Sequence, residues 1–341
     1  MISQTSQTSR SIRAKLEQEE RARLSPHAML SEATAGRVFP ITPDDLRTEF
    51  QRDRDRILHS KSFRRLKDKT QMIVIPRGDH YRTRLTHTLE VAQVARTIAR
   101  ALRLNEDLTE AIAYGHDLGH TPFGHMGERT LDRVYPPGFR HNEQSLRTVE
   151  LLEREGVGLN LTQETRDGIL CHSGDCQPKT LECWCVRFAD RIAYVNHDID
   201  DSIRAGLLKQ ADLPGELITA LGESHGERIA RMVGDVVNES EDQPTLRMSP
   251  EIQEASDALR SFLFERVYRA EWALREETKI DGLMESLYSR FVADPRLLPP
   301  EFHARALYET VERSAVDYLA GMTDRFALDR YRRLFMPNVN F

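Results

Sequence analysis

A mainly α-helical fold with at most one small β-hairpin is the class this sequence predicts, and three observations predict it. Apolar residues recur at spacings of three and four through most of the chain. Cap residues and Pro or Gly breaks divide these stretches at helical lengths. Strand-like alternation is scarce: TQMIVIP is the one good candidate, read as half of a hairpin near residues 71–81.

In chain order, residues 1–40 read as a polar, partly flexible N-terminal arm, followed by a catalytic-type domain over 41–341 whose helical core lies at about 60–205. From Arg52 to Arg84 the chain carries eleven Lys or Arg against four Asp, a local reversal of its net charge of −6. Such a segment suits an anionic partner, polyphosphate or nucleic acid, although alternating charges such as DRDR and KDK can also pair with each other. LTHTLEVAQVARTIARALRL places Val91, Val94, Ile98 and Ala101 on one face with His87, so a histidine opens an apolar stripe. LTEAIAYGHDLG reads as a short helix starting after Asn105 and ending near Gly119, with His116 and Asp117 in its last turn. Pro122 and Gly124 force a turn, and Met126–Val134 resumes as a helix carrying Glu128 near its start.

Cys171, Cys176, Cys183 and Cys185 lie too close together to staple so large a fold and lack paired C-x2-C spacing, so they read as reduced, partly buried thiols. In CVRFADRIAYVNHDIDDSI, Arg187, Asp190, Tyr194 and Asp198 share one helical face, while Val186, Ala189, Ile192, Ala193 and Val195 form an apolar opposite side. Four later stretches, RIARMVGDVV, ALRSFLFERVYRAEWAL, IDGLMESLYSRFV and the segment from Phe302 to Phe335, read as amphipathic helices, with residues 238–245 a loop. At 341 residues and 39% apolar content the chain can fill a substantial core, and no run approaches the roughly 18 apolar residues needed to span a bilayer. The polar first residues do not resemble a secretory signal, which leads to the expectation of a cytoplasmic protein without membrane contact.

The chemistry concentrates in AIAYGHDLGHTPFGHMGE, three histidines, an aspartate and a glutamate in eighteen positions. A divalent ion that activates water needs a few nitrogen and oxygen ligands with open positions. His87, His116, Asp117 and Asp190 are the candidates. Singly, His87 is more often a hydrogen-bonded core histidine and Asp190 more often a cap or ion-pair partner; their combination with His-Asp favours a metal.

The order H…HD…D resembles the HD superfamily of metal-dependent phosphohydrolases. FQRDRDRILHSKSFRRLKDKTQM, RTRLTHTLEV, AYGHDLGHTPFGHMGE, FRHNEQS, VRFADRIAYVNHDIDD and DYLAGMTDRFAL narrow the resemblance to the deoxynucleoside triphosphate triphosphohydrolases, the dGTPase-like proteins, over nearly the whole chain. The resemblance implies a helical HD fold with further C-terminal helices, release of a deoxynucleoside and free triphosphate, and assembly into homo-oligomers. It implies one divalent ion, of manganese, magnesium, cobalt, iron or zinc, on His87, His116, Asp117 and Asp190, with manganese or magnesium supporting activity. It assigns His125 and Glu128 as the catalytic histidine and its acidic partner, and His120 as a further catalytic histidine near the phosphates. Gln71 corresponds to a sugar contact, and Arg84, His141 and Arg191 to phosphate contacts. Tyr194 and Asp198 correspond to the residues holding the deoxyribose, Asp198 at its 3′-hydroxyl and Tyr194 where a 2′-hydroxyl would sit.

A histidine paired with a carboxylate is held in one orientation and suited to moving a proton, and arginines can offset phosphate charge. Two alternatives stay open at this level. One is an HD phosphodiesterase or nucleotidase acting on monophosphates or cyclic dinucleotides; the other is a non-catalytic regulator binding dNTP or single-stranded nucleic acid. For the triphosphohydrolase itself, a second dNTP as allosteric activator and single-stranded nucleic acid as an additional ligand are further expected partners.

Overall fold

The computed structural model describes residues 11–71 and 82–337. Among these residues the chain forms sixteen α-helices. The first three are α1 (Ile12–Arg23), α2 (Glu49–Leu58) and α3 (Lys61–Arg65). The central group is α4 (Arg84–Ala101), α5 (Glu106–Gly115), α6 (Gly124–Val134), α7 (His141–Arg147), α8 (Gln163–Cys171) and α9 (Leu181–Arg204). The remainder are α10 (Gly215–Leu221), α11 (His225–Ser240), α12 (Pro250–Leu263), α13 (Glu271–Ala293), α14 (Pro300–Arg305), α15 (Val311–Ala320) and α16 (Asp324–Phe335). The expected hairpin at 71–81 lies outside the described residues apart from Gln71. Among the described residues β pairing consists of two isolated antiparallel bridges, Arg37 with Thr162 and Thr70 with Thr83.

Local sequence explains where the helices that matter begin. Thr83 caps α4 through a reciprocal bond with Thr86, and Asn105 accepts from the Asp107 and Leu108 N–H groups at the start of α5. Thr180 caps α9 by accepting from Cys183 N. α4, α5 and α9 then pack together through Val91, Val94, Ala95 and Ile98, through Leu108 and Ile112, and through Val186, Ala189, Ile192 and Ala193. Each such fully buried Ile, Leu or Val contributes on the order of 1.5–3 kcal/mol. A second apolar cluster joins α6 to α13, α15 and α16 around Leu131, Met284, Phe291 and Leu319. The site forms where these two cores meet.

Several boundaries differ from the sequence reading. α5 stops at Gly115, so His116 is its C-terminal cap and Asp117 lies just beyond; the carbonyls left open there are met by side chains. Ala101 is exposed, because the stripe drifts off the core side at the end of α4. The stretch at 258–274 is broken: α12 ends in a wider π-type turn over Phe264–Tyr268, and α13 starts at Glu271. α11 continues to Ser240, into the segment read as a loop. Within the residues read as an arm, α1 is anchored by Glu20, whose carboxylate accepts from Ser31 N and Oγ at 2.7 Å.

The cysteines also differ from expectation. Cys171 and Cys176 are joined in a disulfide, brought to a Cα separation of 4.9 Å by the turn that follows α8. Cys183 and Cys185 are free and buried. Nor does the basic segment form a continuous cationic surface. Arg52 pairs with Glu49, Arg54 with Asp107 and Glu110, and Arg82 with Glu90, Asp200 and Asp201, while Arg56 donates to the Leu159 and Asn160 carbonyls. Arg54, Arg56 and Arg82 thus spend their charge on acids and carbonyls elsewhere in the chain, while Lys61, Arg64, Arg65 and Lys67 stay exposed.

Candidate active site

Three helices deliver the candidate ligands to one cavity of about 470 Å3. His87 comes from the first turn of α4, His116 and Asp117 from the end of α5, and Asp190 from the middle of α9. His87 Nε2 lies 3.0 Å from Asp190 Oδ1, and His116 Nε2 lies 3.5 Å from Asp117 Oδ2 and 3.8 Å from Asp190 Oδ1. His87, His116 and Asp117 can turn ligand atoms to within 4.8 Å of one another. His116 Nδ1 is 2.6 Å from the Ala113 carbonyl, which can only accept, so that nitrogen carries the proton. His116 Nε2 is then a lone pair, fully buried, with no hydrogen-bond partner. A buried nitrogen left bare among two carboxylates is what a cation site requires, so these four residues fit a divalent metal.

Charge agrees. Burial works against an ionised Asp117, but the Arg84 guanidinium holds its carboxyl well below the ordinary range. Arg84, also buried, donates to Asp117 Oδ2 at 2.5 Å and to the Gln71 carbonyl at 3.0 Å. Burial likewise opposes the charge on Asp190, whose carboxyl is nonetheless held below its ordinary range. Both carboxylates are therefore ionised and able to ligate.

The other end of the cavity is built by a sharp reversal. After His120, Pro122 leads to Phe123 at φ +62°, a left-handed conformation that costs a non-glycine residue about 1–2 kcal/mol. Its N–H donates to Asp324 Oδ1 at 2.9 Å, and its ring is buried in the second core, which offsets that cost. Gly119 allows the approach of α7, since a Cβ there would stand 2.1 Å from Ser145 N. The turn aims α6 back across the cavity, so that Glu128 faces His120 at 3.8 Å.

Glu128 organises this end. His125 Nδ1 lies 3.1 Å from its Oε2, while the His141 backbone N and ring Nδ1 both lie 2.8 Å from Oε1. Burial opposes the Glu128 charge, but His141 and His125 hold its carboxyl well below the usual range. Burial also lowers His141, and Glu128 more than reverses this, leaving His141 raised above an ordinary histidine. His120, stacked on His141 at 4.5 Å between centroids, is held neutral by burial and by the cations Arg84 and His141. His125 is half exposed and free to meet a ligand.

Of the remaining sequence-predicted residues, Gln71, Arg84, His141, Arg191 and Tyr194 all line the cavity. Gln71 Oε1 is buried without a partner, and Arg191 pairs with Asp257 at 2.8 Å. Asp198 lies one turn beyond Tyr194, fully buried, where the Tyr268 hydroxyl donates to its Oδ2. Burial and the neighbouring Asp201 push the Asp198 carboxyl well above its usual range.

Two residues escaped sequence reasoning. Tyr268, from the π-type turn after α12, stacks on Tyr194 at 6.3 Å and reaches Asp198. His172 caps α8 as His116 caps α5, with Nδ1 2.8 Å from the Ile169 carbonyl and Nε2 3.2 Å from His141 Nε2. Its ring meets that of His116 edge to face at 5.0 Å. The signal was present for His172, an apolar helix ending in Cys-His-Ser-Gly as α5 ends in Gly-His-Asp. None marked Tyr268, whose position depends on how α12 docks.

Comparison with known proteins agrees with this geometry. The HD domain model matches residues 84–195, which hold all four candidate ligands, and a phosphohydrolase-associated domain matches residues 246–333. A deoxyguanosinetriphosphate triphosphohydrolase-like protein of Caldanaerobacter subterraneus subsp. tengcongensis is 55% identical over 97% of this chain and 97% of its own length. The chain belongs to this dGTPase-like family of HD-domain proteins. Relatives with the same description from Desulfatibacillum aliphaticivorans and Clostridium tetani are 47% and 44% identical, each over 96% of this chain. In this dGTPase-like hydrolase the HD match ends at residue 195, one turn short of Asp198, and the second match covers Tyr268. Among the described residues no helix is long and apolar enough to cross a membrane.

Proposed function

We propose that this protein hydrolyses a deoxynucleoside triphosphate at its α-phosphorus, releasing deoxynucleoside and triphosphate, with one divalent ion on His87, His116, Asp117 and Asp190. The observation that carries the reading is the bare, buried Nε2 of His116 beside two ionised carboxylates, facing a histidine–glutamate network across one cavity. A divalent ion, manganese or magnesium for activity, supplies Lewis-acid polarisation and lowers the pKa of water when bound.

The chain's own residues supply the rest. Arg84 and Arg191 border the cavity and offset triphosphate charge. His125, half exposed and oriented by Glu128, moves a proton at the reacting phosphate, with neutral His120 beside it. His141, kept cationic by Glu128, presents positive charge to phosphate oxygens. Gln71 offers an unpaired buried oxygen to the sugar, and Tyr194 fills the place a 2′-hydroxyl would need, backed by Asp198 and Tyr268. A homo-oligomer in the cytoplasm, with a second dNTP as activator and single-stranded nucleic acid as an additional ligand, completes the proposal.

A product screen tests it. Each dNTP, alone and mixed, is incubated with the chain and Mn2+, Mg2+ or Co2+, and products are read by 31P NMR. Free triphosphate is expected from deoxynucleotides and far less from ribonucleotides. Orthophosphate from monophosphates, or a linear dinucleotide from a cyclic one, overturns it. Mixtures reacting where single dNTPs do not would identify activation by a second nucleotide.

A further inference from the structure

We propose that His197, backed by Glu90, is a positioning residue that sets which ring nitrogen of His87 carries the proton and so presents His87 Nε2 to a cation. The inference rests on the reading of His87 as a ligand, and deepens it with residues outside the H…HD…D pattern.

His197 is buried on α9, seven residues after Asp190 and so on the same helical face. Its Nδ1 lies 3.4 Å from His87 Nδ1, with the two rings edge to face at 87°. Its Nε2 lies 3.3 Å from Glu90 Oε2, and Glu90 sits on α4 three residues after His87. Glu90 is tethered in turn by Arg82, which donates to it at 3.0 Å and also binds Asp200 and Asp201. His225 stacks nearly parallel on the His197 ring at 5.7 Å.

The direction of this chain follows from what each group can do. A carboxylate only accepts, so His197 carries its hydrogen on Nε2 toward Glu90 and turns a lone pair from Nδ1 toward His87. His87 then carries its hydrogen on Nδ1, and its Nε2 is a lone pair pointed at the ligand cluster. Three contacts run along Asp190, His87, His197 and Glu90. With His87 Nε2 and Asp190 both given to the proposed cation, the other two contacts each take one ring N–H. His116 reaches the same state by a simpler route, donating Nδ1–H to the Ala113 carbonyl. A carbonyl imposes a direction by itself, whereas an imidazole does so only because Glu90 stands behind it. Outer partners of this kind typically change metal affinity by about 10–100-fold.

The test is Mn2+ binding to the full chain, read from the EPR signal of free Mn2+, with thermal melting of the metal-free protein alongside. His197→Phe keeps a ring but removes the acceptor, and is expected to weaken Mn2+ binding by about 10–100-fold. His197→Asn returns a carbonyl oxygen to the Nδ1 position and is expected to bind close to wild type. Glu90→Ala, at a partly exposed position that tolerates truncation, is expected to lose about tenfold. Wild-type affinity in a folded His197→Phe overturns the proposal, as does an Asn variant as weak as the Phe one, which would mean shape rather than a lone pair matters. If His197→Phe does not fold, unchanged binding by Glu90→Ala overturns it. Wild-type protein that binds no Mn2+ overturns the metal reading and this inference together; wild-type binding with indifferent variants removes this inference alone.

Discussion

The two ends of the cavity use the same residue types in opposite ways. At the proposed metal end, His116 and His87 spend their Nδ1 atoms on an acceptor behind them and turn Nε2 inward, one of them without any partner. At the Glu128 end, His125 and His141 turn toward one carboxylate, and His172 meets His141 nitrogen to nitrogen. The first arrangement leaves lone pairs for a cation; the second leaves hydrogens to be shared. Whether a histidine is a ligand or a proton carrier is thus decided by what its other nitrogen touches.

The strongest way to break this contrast is His116→Ala. Removing the bare nitrogen should abolish Mn2+ binding and lower triphosphohydrolase activity by about a thousandfold or more, several kcal/mol of stabilisation being at stake. Calorimetric Mn2+ titration beside the product assay checks both, and retained activity would remove the metal end from the chemistry.

Glu128→Gln should lower kcat by about a hundredfold to ten-thousandfold while leaving Mn2+ affinity near wild type. Parallel loss of metal binding would merge the two ends into one site. The same variant sharpens the electrostatic side of the comparison. His141 is raised by Glu128, so its share of stability is fully present below the ordinary histidine pKa and fades as pH rises through the raised value. Glu128 is lowered, so its share is present above the ordinary glutamate pKa and fades as pH falls through the lowered value. The stability gap between wild type and Glu128→Gln should therefore be widest between those two ordinary values and narrow on the alkaline side, measurable by thermal melts across pH. Histidine NMR should show the His141 midpoint falling in the variant.

Gly119→Ala tests the joint between the ends. Its Cβ would collide with the Ser145 and Gln144 backbone, at 2.1 and 2.3 Å, so α7 must shift. Denaturant melts should show a loss of about 1–3 kcal/mol, with His141 displaced from Glu128. An unchanged midpoint would show that α7 moves freely. The smallest expected effect is Tyr268→Phe, which takes one hydroxyl from Asp198 and should raise KM for a dNTP by about tenfold with little change in kcat. A fall in kcat alone would place Tyr268 with the chemistry rather than with the sugar.

Much of this was legible in the sequence. The residues His87, His116, Asp117 and Asp190 lie on stretches with strong helical periodicity and clear caps, so their helices and mutual faces could be read locally. His125 and Glu128 are paired in the sequence by the family resemblance, and the structure, starting α6 at Gly124, puts both on one helix at a spacing of three. Other readings needed distant partners. His141 reads in the sequence as a phosphate contact, and its bond to Glu128 becomes visible only once α7 approaches over Gly119. Arg52, Arg54, Arg82 and Arg84 of the basic run look available to an anion in the sequence, and the acids at 49, 90, 107, 110, 117, 200 and 201 fold against them. Cys171 and Cys176 were read as thiols because five residues of spacing say nothing about the turn between them.

By itself the sequence determined the helices, their caps and the identity of the titratable groups, since these follow from periodicity and side-chain chemistry over a few residues. Only the tertiary structure decided which nitrogen of each histidine is left bare, which arginines are already neutralised, and that Tyr268, His172 and His197 belong beside the site. Those outcomes depend on hydrogen-bond direction and charge pairing between groups tens of residues apart, and such contacts come into being only when the helices pack.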